Sequence, residues 1–157
     1  MSKTALLFAG QGAQAVGMGK DLAEKFPSAK AWFDRANAAL GYDLASVCFY
    51  GPEAELTKTE NAQSGIFLVS WVAFQLLKER APLLKFEAIA GLSLGEFTAL
   101  TAAGAMSFED GLRVVHQRGK FMQGLVKPHM AAWRRSSAST KRLPAKSAPK
   151  RMWCWRT

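Results

Sequence analysis

The sequence has 157 residues, 49% hydrophobic and 21% charged, which is the make-up of one globular domain, and no apolar run reaches membrane-spanning length. The formal net charge is +9, yet residues 1–124 hold 12 basic and 12 acidic side chains, so the whole excess sits in residues 125–157. Two cysteines, Cys48 and Cys154, are too few for a disulfide framework or a metal site and fit a reducing, cytoplasmic setting.

Residues 4–9, TALLFA, form a compact apolar run closed by a GQG turn, the pattern of a buried parallel strand rather than of a signal peptide. Helical patterns follow at 17–26 and at 28–40, where Ser28 is placed to cap the start and Gly41 to end the helix. A longer helix is expected over 62–80, after which FEAIAG returns to strand character and runs into the turn GLSLG. Further helices are expected over 94–104 and 107–125, the second with Ser107 as N-cap and Asp110 three residues on. Alternating strand and helix predicts an α/β fold with a parallel sheet, whose chemistry gathers at the carboxyl ends of the strands. Both glycine turns fall at such ends, and there is no internal repeat.

In AIAGLSLGEFTAL the glycines two before and two after Ser93 let the chain bend sharply from strand to helix and hold the hydroxyl clear of the sheet. The helix that follows aims its first N–H groups and the positive end of its dipole at an oxyanion formed there. Such pentapeptides also occur in turns by chance, but the strand before and the helix after favour a nucleophile. A base is harder to find: His116 falls on the polar face of the 107–125 helix and His129 in the basic tail, so each reads as a solvated histidine. GQGAQA also fits a relaxed dinucleotide fingerprint, but that reading needs a second strand ending in an acidic residue, and residues 28–40 read as helix.

On the 107–125 helix, Leu112, Val114, Val115, Phe121, Met122 and Leu125 share one broad apolar face with Arg118 near its middle. A guanidinium aimed at a core needs an anion. A ligand carboxylate suits it, and so do an ion pair with Glu96 or Asp110 and an escape of the side chain to the rim.

Taken in order, FAGQGAQAVGMG, ALGYDL, GPEAELTKTENAQ, AGLSLGEFTAL and MSFEDGLRVVHQRGKFMQ closely resemble the malonyl-CoA:acyl carrier protein transacylases and the related acyltransferase domains of polyketide synthases, over about residues 3–124. The resemblance implies the α/β-hydrolase-like large subdomain of the acyltransferase fold. It implies a ping-pong reaction in which a serine takes malonyl from coenzyme A and passes it to the phosphopantetheine thiol of acyl carrier protein. No cofactor is implied, since the coenzyme A thioester is substrate and the phosphopantetheine belongs to the partner; neither nucleic acid nor membrane is expected as a partner. By motif, Ser93 matches the nucleophile, Gln11 and Leu94 match the residues whose backbone N–H groups form the oxyanion hole, Arg118 matches the arginine that pairs with the malonyl carboxylate, and Gln63 matches an active-site glutamine. Two residues depart from the usual pattern: Leu92 stands where histidine is commonest before the serine, and Ser64 where proline usually follows the glutamine.

The family's catalytic histidine lies roughly a hundred residues beyond the serine, and nothing in residues 1–124 matches it. From residue 125 the sequence carries nine basic and no acidic residues with three tryptophans, in place of the strand that opens the family's ferredoxin-like small subdomain. Reading the DNA permitted beneath HMAAWRRSSASTKR two nucleotides later gives HGGMAAVIGLDEA, the family's continuation, so 125–157 is expected to be a frameshifted, disordered tail. The catalytic domain is then incomplete, the small subdomain missing, and the 157-residue polypeptide inactive and poorly folded. Alternatives are a serine hydrolase or thioesterase on the same turn, and a non-catalytic fragment that binds carrier protein or, through its basic tryptophan-containing tail, nucleic acid.

Overall fold

The two apolar runs pair as the sheet of the protein in a computed structural model that describes residues 3–125 and 155–156. β1, Ala5–Phe8, lies parallel to β2, Ala88–Gly91, with Ala5 opposite Ala88 and Phe8 opposite Gly91. The parallel pairing is as expected; the full burial of β1 is not, because the strand packs Leu6 and Phe8 on the core while Leu7 is 78% exposed. Two further residues, Trp155–Arg156, form β3 and pair antiparallel with Ala88 and Ile89. The rest of the basic segment, 126–154 and 157, lies outside the described residues.

Between β1 and β2 the chain runs through α1, Lys20–Lys25; α2, Pro27–Leu40; α3, Leu44–Tyr50; α4, Glu53–Leu56; and α5, Thr59–Arg80. The helix expected at 17–26 is shorter, since residues up to Gly19 are turn and Gly19 itself has φ 75°. Ser28 does not cap α2. Pro27 occupies the first turn, where its missing N–H costs nothing, and the Ser28 hydroxyl donates instead to Glu79 at 3.0 Å. Gly41 ends that helix as expected, in the left-handed conformation with its N–H on the Asn37 carbonyl. The short helices α3 and α4 were too brief to carry a periodic signal; Asp43 starts α3 by accepting from the Ser46 N–H at 2.9 Å.

α5 is the axis of the core. Its 22 residues are apolar on several sides, and Phe67, Leu68 and Val72 are fully buried against α2, α3, α6 and α7. Its first turns are buried too but polar, carrying Asn61, Gln63 and Ser64. Those buried amides and that hydroxyl require partners: Asn61 finds them in Tyr42 and Glu55, Gln63 in Arg118 and Gln11, and Ser64 in the Glu60 carbonyl and His116.

α6, Leu94–Ala102, follows the serine turn, and α7, Phe108–Leu125, packs along α5. The Ser107 cap is present: its Oγ accepts from the Asp110 N–H at 3.1 Å and donates to the Asp110 carboxylate at 2.7 Å. The buried stripe of α7 differs from the expected apolar face. It runs through Phe108, Gly111, Leu112, Val115, His116 and Gly119, whereas Val114 and Phe121 are exposed. The cause is close helix contact: a Cβ on Gly119 would stand 2.4 Å from Glu60 Cα, so the seam follows the residues without side chains rather than the most apolar ones. His116 is thereby inside, only 8% exposed, and not on the solvated face.

Candidate active site

The serine turn is built from backbone contact. Gly91 ends β2 directly beneath α6, where a Cβ would lie 2.0 Å from the Gly95 carbonyl carbon. Gly95 in turn lies against β1, where a Cβ would lie 2.4 Å from the Phe8 oxygen. With both sides this close, the residue between must take an unusual conformation, and Ser93 has φ 56° and ψ −103°. It alone among the described non-glycine residues has a positive φ. Such a geometry stores on the order of 1–3 kcal/mol and persists at sites where a side chain must be held in place.

Ser93→Gly removes the Cβ responsible for this strain and raises unfolding stability by about 1 kcal/mol, read as an upward shift of the urea midpoint. A lower midpoint in that variant means that the turn is relaxed and the serine only a loop residue.

The turn leaves Ser93 exposed at the start of α6. Leu94, the first residue of that helix, is one of the positions whose N–H has no partner within the helix, which makes it available to an oxyanion. The GQG turn reaches the same place from β1, because a Cβ on Gly10 would stand 2.7 Å from the Leu92 carbonyl oxygen. Gln11 is exposed beside it.

Arg118 extends from α7 to meet the serine. Its Nη2 donates to Ser93 Oγ at 2.8 Å and its Nη1 to Gln63 Oε1 at 2.5 Å, with the Phe97 ring 5.7 Å from the guanidinium carbon. The ion pairs considered with Glu96 and Asp110 are not what holds it; Asp110 contacts Arg113 at 3.4 Å and Ser107 instead. The Gln63 amide nitrogen donates onward to Gln11 Oε1 at 3.1 Å and to Met122 Sδ at 3.3 Å. Gln11, Gln63, Arg118 and Ser93 therefore form one chain of hydrogen bonds, with Leu94 next to its end.

The guanidinium places a fixed positive charge against the hydroxyl and keeps further N–H donors for a planar anion. A groove of about 400 Å³, lined by Arg113, Val114, Gln117, Arg118 and Phe121, runs along α7 from this point. Sequence reasoning did not single out Phe97, Met122 or the His116–Ser64 contact as parts of this region. The replacement of the usual proline by Ser64 was the one signal, since a buried hydroxyl needs a partner. The hydroxyl donates to the Glu60 carbonyl at 2.7 Å, and its oxygen also meets His116 Nδ1 at 3.3 Å. Among the described residues no group of three or more histidine, cysteine, aspartate or glutamate side chains could hold a metal ion, and no helix is long and apolar enough to cross a membrane.

The acyl transferase domain family matches residues 5–150, which spans the boundary expected at 124. The chain belongs to this family. It is 44% identical over 126 residues to the malonyl CoA-acyl carrier protein transacylase of Haemophilus influenzae, covering 80% of this chain and 40% of that protein. The Bacillus subtilis protein of the same name is 47% identical, with 80% and 39% covered. Among solved structures, the malonyl CoA-acyl carrier protein transacylase of Clostridium perfringens superposes with a TM-score of 0.76 at 44% identity, covering 82% of this chain and 40% of that one. Another, a malonyl transacylase in complex with a type II polyketide acyl carrier protein, gives 0.75 at 40% identity, covering 80% of this chain and 40% of that one. The chain thus spans about 40% of the length of the relatives it matches. Its helix-rich build around a small parallel sheet is that of the acyltransferases.

Proposed function

We propose that this chain carries the nucleophile, oxyanion hole and carboxylate anchor of a malonyl-CoA:acyl carrier protein transacylase. The 2.8 Å contact between Arg118 and Ser93 carries the reading, because it sets a carboxylate-binding group beside a serine held on a strained turn. Ser93 Oγ attacks the thioester carbonyl of malonyl-CoA; the oxyanion is received by the N–H groups of Leu94 and Gln11. Collapse breaks the carbon–sulfur bond, and the thiolate of coenzyme A leaves with the proton that came from Ser93, giving a malonyl ester on the serine. The phosphopantetheine thiol of acyl carrier protein then attacks that ester, and the hydroxyl is restored. Throughout, the guanidinium of Arg118, steadied by Gln63, holds the malonyl carboxylate.

Efficient proton transfer needs a base on Ser93. His116 faces Ser64 instead, and residues 1–124 contain no counterpart of the family's catalytic histidine. We read residues 1–124 as part of an α/β-hydrolase-like large subdomain and 125–157 as a basic, frameshifted segment, of which Trp155–Arg156 pair with β2. The 157-residue polypeptide, tested alone, therefore acylates slowly and turns over hardly at all; general base catalysis is worth about 10²–10⁴ in rate.

Intact-protein mass spectrometry after incubation with malonyl-CoA tests this. The expected result is one malonyl group, absent in Ser93→Ala, accumulating over many minutes with little passing to acyl carrier protein. Complete absence of an adduct makes the chain a binding fragment, and rapid multiple turnover removes the need for the histidine.

A further inference from the structure

Three polar contacts tie α7 to the first turns of α5 along one seam. His116 Nδ1 meets Ser64 Oγ at 3.3 Å, Arg118 Nη1 donates to Gln63 Oε1 at 2.5 Å, and Gln123 Oε1 accepts from the Thr59 N–H at 2.9 Å. Between them the backbones nearly touch at Gly119 and Glu60. Only the first contact is enclosed on both sides, with Ser64 fully buried and His116 8% exposed. A buried hydrogen bond cannot be exchanged for water if the helices slip, so it resists sliding more than the Arg118–Gln63 contact, which is enclosed only on the Gln63 side, or the exposed Gln123–Thr59 contact.

The chemistry of this pair is specified by its neighbours. The Ser64 hydroxyl spends its hydrogen on the Glu60 carbonyl at 2.7 Å, so its oxygen accepts and His116 donates from Nδ1. Burial, and then the Lys120 charge one turn along α7, hold His116 below its ordinary pKa against the opposing pull of Glu60 on α5. The Tyr42 ring lies 5.5 Å from the imidazole, and the Tyr42 hydroxyl is fixed by Asn61 at 2.9 Å, so the histidine has little room to turn.

Ser64 is adjacent to Gln63, and His116 is two residues before Arg118. We propose that the His116–Ser64 pair positions the Arg118–Gln63 pair, setting where the carboxylate anchor stands relative to Ser93. The inference rests on the reading of Arg118 given above. It makes His116 a positioning residue that touches neither serine nor substrate.

The test compares binding of malonyl-CoA and acetyl-CoA to the full 157-residue chain by calorimetry, because acetyl-CoA lacks the carboxylate. His116→Phe keeps a ring against Tyr42 but loses the donor, Ser64→Ala loses the acceptor, and His116→Asn keeps a donor close to the Nδ1 position. His116→Phe and Ser64→Ala are expected to lose about fivefold or more of the preference for malonyl-CoA, the size of one buried hydrogen bond, with acetyl-CoA affinity unchanged. His116→Asn is expected to keep most of the preference. The proposal is overturned if His116→Phe and Ser64→Ala retain the wild-type ratio, or if they weaken both ligands equally, as a purely structural role requires. Should His116→Phe lose its helical circular dichroism, Ser64→Ala, smaller by one oxygen, decides alone. If the wild-type chain itself shows no preference for malonyl-CoA, the reading of Arg118 falls, and this one falls with it.

Discussion

Replacing Arg118 with alanine is expected to lower the affinity for malonyl-CoA on the order of 100-fold while leaving acetyl-CoA affinity within about twofold, since hydrogen bonds to a charged group contribute about 1.5–3 kcal/mol each. The guanidinium stands between Gln63 and Ser93 with both terminal nitrogens engaged, so its plane is fixed before any ligand arrives. A carboxylate that meets it receives two parallel N–H groups without further ordering of the side chain. Arg118→Lys is expected to recover little, because an ammonium cannot donate to Gln63, Ser93 and a carboxylate in one plane. The comparison also separates the two enzymatic readings. A hydrolase of simple esters has no carboxylate to hold, so for it the alanine variant changes neither ligand's binding. Calorimetry on both variants with both thioesters reads these outcomes directly.

The site was legible where its residues have a chemical identity that local sequence frames. Ser93 is announced by its two glycines, and Arg118 by its place near the middle of an apolar face, so both could be singled out before any fold was known. The chain of hydrogen bonds from Gln11 to Ser93 was not legible, because it joins the GQG turn, α5, α7 and the serine turn across separations of 52, 55 and 25 residues. His116 was misplaced for a related reason. Helical periodicity weighs side chains by their hydropathy, and the α7 seam is organised by Gly111 and Gly119, which carry none. Ignoring them turns the stripe by about one residue, which moves Val114 and Phe121 inward and His116 outward. The parallel pairing of β1 with β2 was readable from alternation of strand and helix, whereas α3 and α4 fell below the length at which a period can be counted.

Gly91→Ala is expected to destabilise the protein by about 3 kcal/mol or more, or to prevent its folding, beyond the usual cost of overfilling a core. The added methyl would meet the Gly95 carbonyl carbon at 2.0 Å, its oxygen at 2.1 Å and the Glu96 nitrogen at 2.6 Å, all of them backbone atoms of the first turn of α6. No rotamer change can relieve that contact. The helix must lift away from β2, and because Gly95 itself rests on the Phe8 carbonyl, lifting it also opens the contact between α6 and β1. A single methyl thus separates the three elements that hold Ser93 in place. The sign is opposite to that expected for Ser93→Gly, although both substitutions lie within one pentapeptide. Glycine at 91 is required by packing, and serine at 93 is tolerated against the backbone's own preference. Only a residue whose side chain is needed is kept in such a conformation, so the pair of measurements asks whether this turn exists for its hydroxyl. Denaturant unfolding of the two variants answers it: a large loss at Gly91 with a gain at Ser93 is the expected outcome. A shift within about 0.5 kcal/mol at Gly91, as for an ordinary surface position, would remove the structural case for the nucleophile.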